Sequence, residues 1–303
     1  MSIEIRQYNS KKGFPEDFFK VRDFLIRINS EGFVSINYLW ERWEWSVCLE
    51  SINNSDLSKM RIWEDNGQIV AMVALEDSPG EVYPLIDKRY GYLKRDVLEY
   101  SAENLTNEGE VKILIQDDDP EFQIYARKLG FYPTQHRDSK SVLDIDLEEM
   151  SYKLPDGFYI RSLADEYNLY KYNRVLWRGF NHEGEPPEDD KQIKARKFSL
   201  SGPHQKMELN VAVVSPEGNF VSYCGMWYDK ATDYALVEPV ATDPDYRKMG
   251  LGRAAVFEGI RRCVELGAKR AYVGSSKQFY YKIGFRPVPG GTFWELDRPQ
   301  AED

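Results

Sequence analysis

Cysteine is scarce in this chain: three in 303 residues, Cys48, Cys224 and Cys263, with no C-x-x-C pair. So few give neither a disulfide framework nor a zinc-ribbon ligand set, and a reducing compartment is the simpler expectation. His182 and His204 have no metal-like spacing with each other or with the cysteines, so no metal is expected. The opening MSIEIRQYNSKKGF lacks an apolar signal core, and no run approaches membrane-spanning length. A cytoplasmic protein without a membrane partner is expected.

Positive charge is also in short supply, the net being -10. A long nucleic-acid backbone is held by a basic surface that releases counterions, so no nucleic-acid partner is expected. A short polyphosphate needs only a local cluster of donors. What the chain does have is apolar residues, 42% hydrophobic and 14% aromatic, ample for one large core or two ordinary ones.

The chain repeats itself. IEIRQY at the start resembles FYIRSL, with Arg6 and Arg161 separated by 155 residues; YARKLGF resembles YYKIGF, with Phe131 and Phe285 separated by 154. Between them DKRYGYLKRDVLEYS parallels DPDYRKMGLGRAAVFEG, with Asp87 and Asp243 separated by 156. Offsets this close imply two copies of one domain, 1–148 and 149–303, joined through the polar EEMSYKLPDG.

Each copy reads as α+β, with a hairpin-rich half and one βαβ crossover. In the second, LNVAVV and NFVSYCGMWY flank SPEG as a hairpin, and DYALVEPVAT is a third strand. Val256, Ile260 and Cys263 share a helical face closed by Gly267, before the short strand AYV. In the first, Phe18, Val21, Leu25 and Ile28 form a helix stripe, and Asn66-Gly67 marks a hairpin.

The turn before the second copy's crossover helix, Arg247 to Arg253, carries Gly250 and Gly252. Glycines there let backbone N–H groups at a helix N-terminus approach something large and negative. A P-loop needs G-x-x-x-x-G-K-[ST], which is absent. GLGRAA formally fits a dinucleotide fingerprint, yet the next strand ends in Gly274-Ser275-Ser276, without the acidic residue that binds a ribose.

VATDPDYRKMGLG resembles instead the acetyl-CoA signature of the GNAT superfamily of N-acetyltransferases, R/Q-x-x-G-x-G/A after a V-x-V-x-P strand end, and FYYKIGF resembles that superfamily's following L-Y-E-K-x-G-F motif. The resemblance covers essentially the whole second copy and, more faintly, the first. It implies two tandem GNAT-like domains, each a mixed, mostly antiparallel twisted sheet flanked by helices, a layout similar to that of mycothiol synthase. It also implies acetyl-CoA as co-substrate and direct transfer of acetyl, in a ternary complex, to a primary amine of a small molecule. On this reading the coenzyme is held by Val240, Ala241 and Thr242 at the strand end and by Arg247, Lys248, Met249, Gly250, Leu251, Gly252 and Arg253 in the turn. Backbone N–H groups near Val240 and Thr242 would polarise the thioester carbonyl.

An alkylammonium of pKa about 10.4 is neutral about once in 2,500 molecules at pH 7, a handicap of roughly 4.6 kcal/mol, whereas a departing thiol of pKa near 8.5 faces only about 2 kcal/mol. Deprotonating the acceptor is the harder task. Glu238, a carboxylate within an apolar strand, is the candidate base, and a structural ion pair is its bland alternative. Tyr280, at the tyrosine position of the second motif, is the candidate general acid; a core aromatic is its alternative. The acidic run NHEGEPPEDD, 181–190, lies between two expected helices and would attract a cation, although such runs are more often solvated loops. Trp40, Trp43 and Trp45 read as core.

In the first copy Lys94 stands over Gly250, Asp96 over Gly252 and Ala126 over Tyr280. That domain is expected to be degenerate, a scaffold or a contributor to the acceptor site. Two rival functions remain open on sequence: a non-catalytic acyl-CoA-binding or regulatory protein, and a protein lysine or N-terminal acetyltransferase.

Overall fold

The structure is a computed structural model, and it describes residues 3–9, 11, 13–30, 38–49, 52–76 and 80–296. The ends of the two expected domains, 1–2 and 297–303, lie outside the described residues. Compact packing groups the chain up to Ser139 with the stretch from Pro289 onward, and Lys140–Val288 by itself.

The first unit runs β1 (Ile3–Gln7), α1 (Glu16–Ser30), α2 (Trp40–Val47), α3 (Asn54–Lys59), β2 (Arg61–Asp65), β3 (Gln68–Leu75), β4 (Glu81–Ile86), α4 (Lys94–Asn104), β5 (Lys112–Gln116), α5 (Pro120–Lys128) and the start of β6 (Phe131–Asp144). Helix α1 buries Phe18, Val21 and Leu25 fully, with Ile28 half-buried at the rim of the same stripe. Asn66 and Gly67 both have positive φ, 52° and 75°, the geometry that lets a two-residue turn follow the twist of β2 and β3. Strands β1 to β4 pair antiparallel in sequence order, and β4 then pairs parallel with β5 across α4.

The second unit runs β7 (Tyr159–Ser162), α6 (Leu169–Gly179), α7 (Asp190–Ser199), β8 (Asn210–Val214), β9 (Phe220–Trp227), β10 (Tyr234–Thr242), α8 (Leu251–Glu265), β11 (Arg270–Val273), α9 (Gln278–Lys282) and the start of β12 (Arg286–Leu296). Strands β7 to β10 are antiparallel neighbours, and β10 pairs parallel with β11 across α8. The expected α+β plan, with a mostly antiparallel sheet and one βαβ crossover, is therefore present in both units.

The last strands are shared out in a way the repeat alone does not announce. Ser141 to Asp144 of β6 pair with β11 in the second unit, and Gly291 to Glu295 of β12 pair with β5 in the first. Each crossover strand is thus flanked by a strand from the other half of the sequence.

Two cores lie on the two faces of the second unit's strands. Val256, Ile260 and Cys263 of α8 are fully buried with Cys224, Met226, Val237 and Val273 on one face. Tyr172, Val175 and Leu176 of α6 pack with Ala212, Tyr223 and Ala241 on the other. Gly267, at φ 116°, follows the α8 C-cap as the helix stop that the sequence announces. No helix among the described residues is long and apolar enough to cross a membrane.

Candidate active site

Strand β10 changes partners along its length. Tyr234 to Leu236 pair with Arg270 to Tyr272 of β11, and there the parallel ladder ends. The strand itself continues to Thr242, paired only with β9. The two strands therefore part beyond Leu236, leaving the β11-facing edge of residues 237–242 outside the ladder.

A bulge marks the parting. Val237 faces Met226 and Val240 faces Cys224, so Glu238 and Pro239 together oppose the single residue Gly225. The Glu238–Pro239 peptide is cis. A Cβ on Gly225 would lie 2.5 Å from the Glu238 carbonyl oxygen and 2.9 Å from Pro239 Cδ, so glycine is what allows the bulge to lie flat on β9. The Trp227 indole N–H donates to the same carbonyl oxygen at 3.1 Å. Glu238 is half-buried, and its charge reaches Tyr280 and Cys224.

Tyr280 lies in α9, 8% exposed, edge-on to Phe279 and Phe285 at ring separations of 5.0 and 5.6 Å. Burial pushes its phenol well above the ordinary range, and the neighbouring Cys224 and Glu238 add to that. It is held protonated, a donor at any physiological pH.

Beyond β10 the chain makes one 3-10 turn at Pro244–Tyr246 and enters α8 through the glycine turn. Gly250 is the N-cap, in the left-handed region at φ 82°, and Lys248 also has positive φ, 64°. The first helical hydrogen bond runs from Ala254 N to Gly250 O, so the amides of Leu251, Gly252 and Arg253 precede the ladder, and no side chain caps the helix. A Cβ on Gly250 would have nothing within 4 Å, which leaves open space above the helix end. A Cβ on Gly252 would come within 3.1 Å of Thr242 Oγ1 and 3.4 Å of the Phe279 ring, tightening the gap between α8, β10 and α9. Thr242 Oγ1 in turn shares a 2.9 Å hydrogen bond with Ser222 Oγ. This uncapped, side-chain-free helix N-terminus suits a diphosphate, since amides and helix dipole both favour an anion.

At the opening where β10 parts from β11, Thr242 lies close to Gly252 at the start of α8 and Glu238 is within electrostatic reach of Tyr280, while Leu251 is buried in the α8 core, against which Val240 packs. Val240 and Thr242 oppose Cys224 and Ser222 in the register, on the face that carries α8. Ala241 turns the other way, buried against α6, so only its backbone is on the opening's strand. Met249 is exposed at the turn. The three basic side chains diverge. Arg247 donates to Thr242 O at 3.1 Å and Gly179 O at 2.9 Å; Arg253 lies over the Phe257 ring at 4.9 Å; Lys248 is exposed.

Sequence reasoning passed over three contributors. Trp227 and Gly225 shape the bulge, and a glycine inside the apolar YCGMW was the available signal. Arg178 of α6 holds Asp243, at the end of β10, through Nε at 2.6 Å and Nη2 at 3.0 Å. Their separation of 65 positions leaves no local signal.

The acidic run does connect α6 to α7, but Asp189 there is the N-cap of α7, accepting from Gln192 N at 2.9 Å. Among the described residues no group of three or more His, Cys, Asp or Glu is arranged to hold a metal.

Among the described residues of the first unit this opening's features do not recur. Strands β3 and β4 pair without a register shift. Lys94, the counterpart of Gly250, opens α4 and pairs with Asp119 and Glu121, both at 2.9 Å. Asp96 occupies that helix's first turn, and Ala126 is fully buried where Tyr280 stands in the second unit.

Residues 167–285 match the model of the "Acetyltransferase (GNAT) family". No curated protein matches the chain in sequence. Among solved structures, a tandem GNAT protein from the clavulanic acid biosynthesis pathway is similar over 99% of this chain and 100% of its own, at 12% identity and a TM-score of 0.63. A GCN5-related N-acetyltransferase from Sphaerobacter thermophilus is similar over 98% and 96%, at 14% identity and a TM-score of 0.60. A GNAT-family acetyltransferase from Colwellia psychrerythraea is similar over 98% and 100%, at 12% identity and a TM-score of 0.58. At such identities these neighbours speak for the fold alone, and the first of them is described as a tandem GNAT protein. The chain is thus similar to the GNAT family of acetyltransferases over residues 167–285, which lie within the second unit.

Proposed function

We propose that the second unit transfers acetyl from acetyl-CoA directly to a primary amine of a small molecule, within one ternary complex. The observation that carries this reading is the bulge at Glu238–Pro239, which sets a carboxylate where β10 leaves β11, beside an uncapped helix N-terminus. Acetyl-CoA supplies the activated acetyl group and, in its diphosphate, the anion that such a helix end favours.

The backbone from Lys248 to Arg253 holds the diphosphate, and backbone N–H groups near Val240 and Thr242 polarise the thioester carbonyl. Glu238 takes the proton from the acceptor ammonium, directly or through a water, because the free amine is the nucleophile. Tyr280, kept protonated by burial, gives a proton to the departing sulfur. Arg247 holds the strand end through backbone carbonyls, and Met249 and Leu251 space the turn. The first unit serves as a scaffold, since Lys94 and Asp96 occupy its counterpart of the diphosphate seat.

The test is release of free thiol from acetyl-CoA over a panel of primary amines, with and without Glu238→Gln. Amine-dependent release by the native protein that collapses in the variant is expected. Binding of acetyl-CoA without turnover on any amine would contradict transfer; turnover only on peptide lysines or N-termini would contradict the small-molecule acceptor.

A further inference from the structure

Asp243 is fully buried at the exit of β10, and its carboxylate is clasped from helix α6. Arg178 donates to both of its oxygens, at 2.6 and 3.0 Å, and Arg174 reaches Oδ2 at 3.3 Å. Arg178 goes on to Asp245 at 2.6 Å, inside the 3-10 turn that leads to Gly250. A second brace runs the opposite way. Arg247, three residues before Gly250, returns to Gly179 O at 2.9 Å, the carbonyl of the last residue of α6, and to Thr242 O at 3.1 Å. Gly179 itself touches the strand, because a Cβ there would lie 2.6 Å from Ala241 Cβ and 2.9 Å from Thr242 N. Two arginines in opposite directions, across a glycine contact, fix the helix end to the turn as one piece.

The first unit repeats the clasp. Asp87, the counterpart of Asp243, is buried and clasped by Arg27 of α1, so the clasp belongs to the fold. Arg89, two residues past Asp87, also donates to Asp87, at 2.7 and 3.0 Å. In the second unit the clasped carboxylate stands before the glycine turn, where the position of backbone amides matters.

We infer that Arg178 is a positioning residue for the diphosphate seat: through Asp243 and Asp245 it holds the turn so that the amides from Lys248 to Arg253 converge before the coenzyme arrives. This rests on the reading that acetyl-CoA binds the second unit. A planar, bidentate guanidinium does what a lysine ammonium cannot, so the role is sensitive to a charge-conserving change. Prearranged donors bind more tightly because less ordering remains to be done on binding.

The experiment compares acetyl-CoA affinity by calorimetry, and melting temperature, for the full-length native chain, Arg178→Ala, Arg178→Lys and Arg27→Ala. Arg178→Ala is expected to weaken acetyl-CoA at least tenfold and Arg178→Lys by a smaller factor of at least threefold. In both, kcat at saturating acetyl-CoA changes less than threefold. Arg27→Ala breaks the equivalent clasp of the first unit, and is expected to lower the melting temperature while leaving affinity within twofold. If Arg178→Ala does not fold, Arg178→Lys decides. Affinity within twofold of native in the Arg178 variants, with only the melting temperature lowered, would overturn the inference and leave a structural clasp. A native chain that does not bind acetyl-CoA would overturn the coenzyme reading itself, and this inference with it.

Discussion

The Trp227 indole N–H donates to the Glu238 carbonyl oxygen at 3.1 Å, across a bulge in which two residues of β10 oppose Gly225 of β9. That bond holds the backbone of the proposed base from below while β11 is absent on its other side. The carboxylate is therefore carried on a fixed peptide, half-buried, within electrostatic reach of Tyr280.

From this follows a pH signature for Glu238→Gln. General-base assistance is worth roughly 10²–10⁴ in rate, and the amide removes the proton acceptor while conserving shape. The loss in kcat is expected to be largest from acidic to neutral pH, where the amine arrives as ammonium. It narrows as the pH nears the amine's own pKa, because a neutral amine then arrives from solution. Acetyl-CoA affinity stays close to native. Rate profiles of both proteins from about pH 6 to 10 check this; parallel profiles would remove Glu238 from the base role.

The repeat, the hairpins, the α8 stripe and the glycine turn were all legible in sequence because each is written in neighbouring residues. Val256, Ile260 and Cys263 recur at helical spacing and are fully buried, and Asn66-Gly67 adopts the left-handed pair that its composition foretells. What escaped is non-local. The exchange of the last strands depends on how β6 and β12 are shared out, and the periodicity of a strand does not name its neighbour. The same holds for Arg178 and Asp243, whose pairing is made by packing α6 onto β10. Gly225 and Gly179 stand between these cases, since each is visible in sequence while the backbone that crowds it is not.

Asp87 gives the first unit an acid-side dependence of stability. Burial alone would raise its pKa, but hydrogen bonds from Arg89 and Arg27 overcome this and hold it at about 2. A depressed carboxylate contributes stability that is present above its unfolded value, near 3.9, and is lost as the pH falls through the folded one. Asp87→Asn is expected to cost roughly 1.5–3 kcal/mol at pH 7, as for a hydrogen bond to a charged partner. The gap from native closes between about pH 4 and pH 2. Urea unfolding at a series of pH values measures it; a gap that stays constant down to pH 2 would contradict the linkage.

The central claim is that the backbone at the start of α8, and not the corresponding stretch at the start of α4, grips the diphosphate of acetyl-CoA. Calorimetric titration of the full-length chain measures both the affinity and the number of sites. The account predicts one acetyl-CoA per chain, with binding lost in Gly252→Asp, which writes the first unit's Asp96 into the second, and unchanged in Asp96→Gly. Native affinity in Gly252→Asp, or a binding site that disappears only when the first unit is altered, would contradict it.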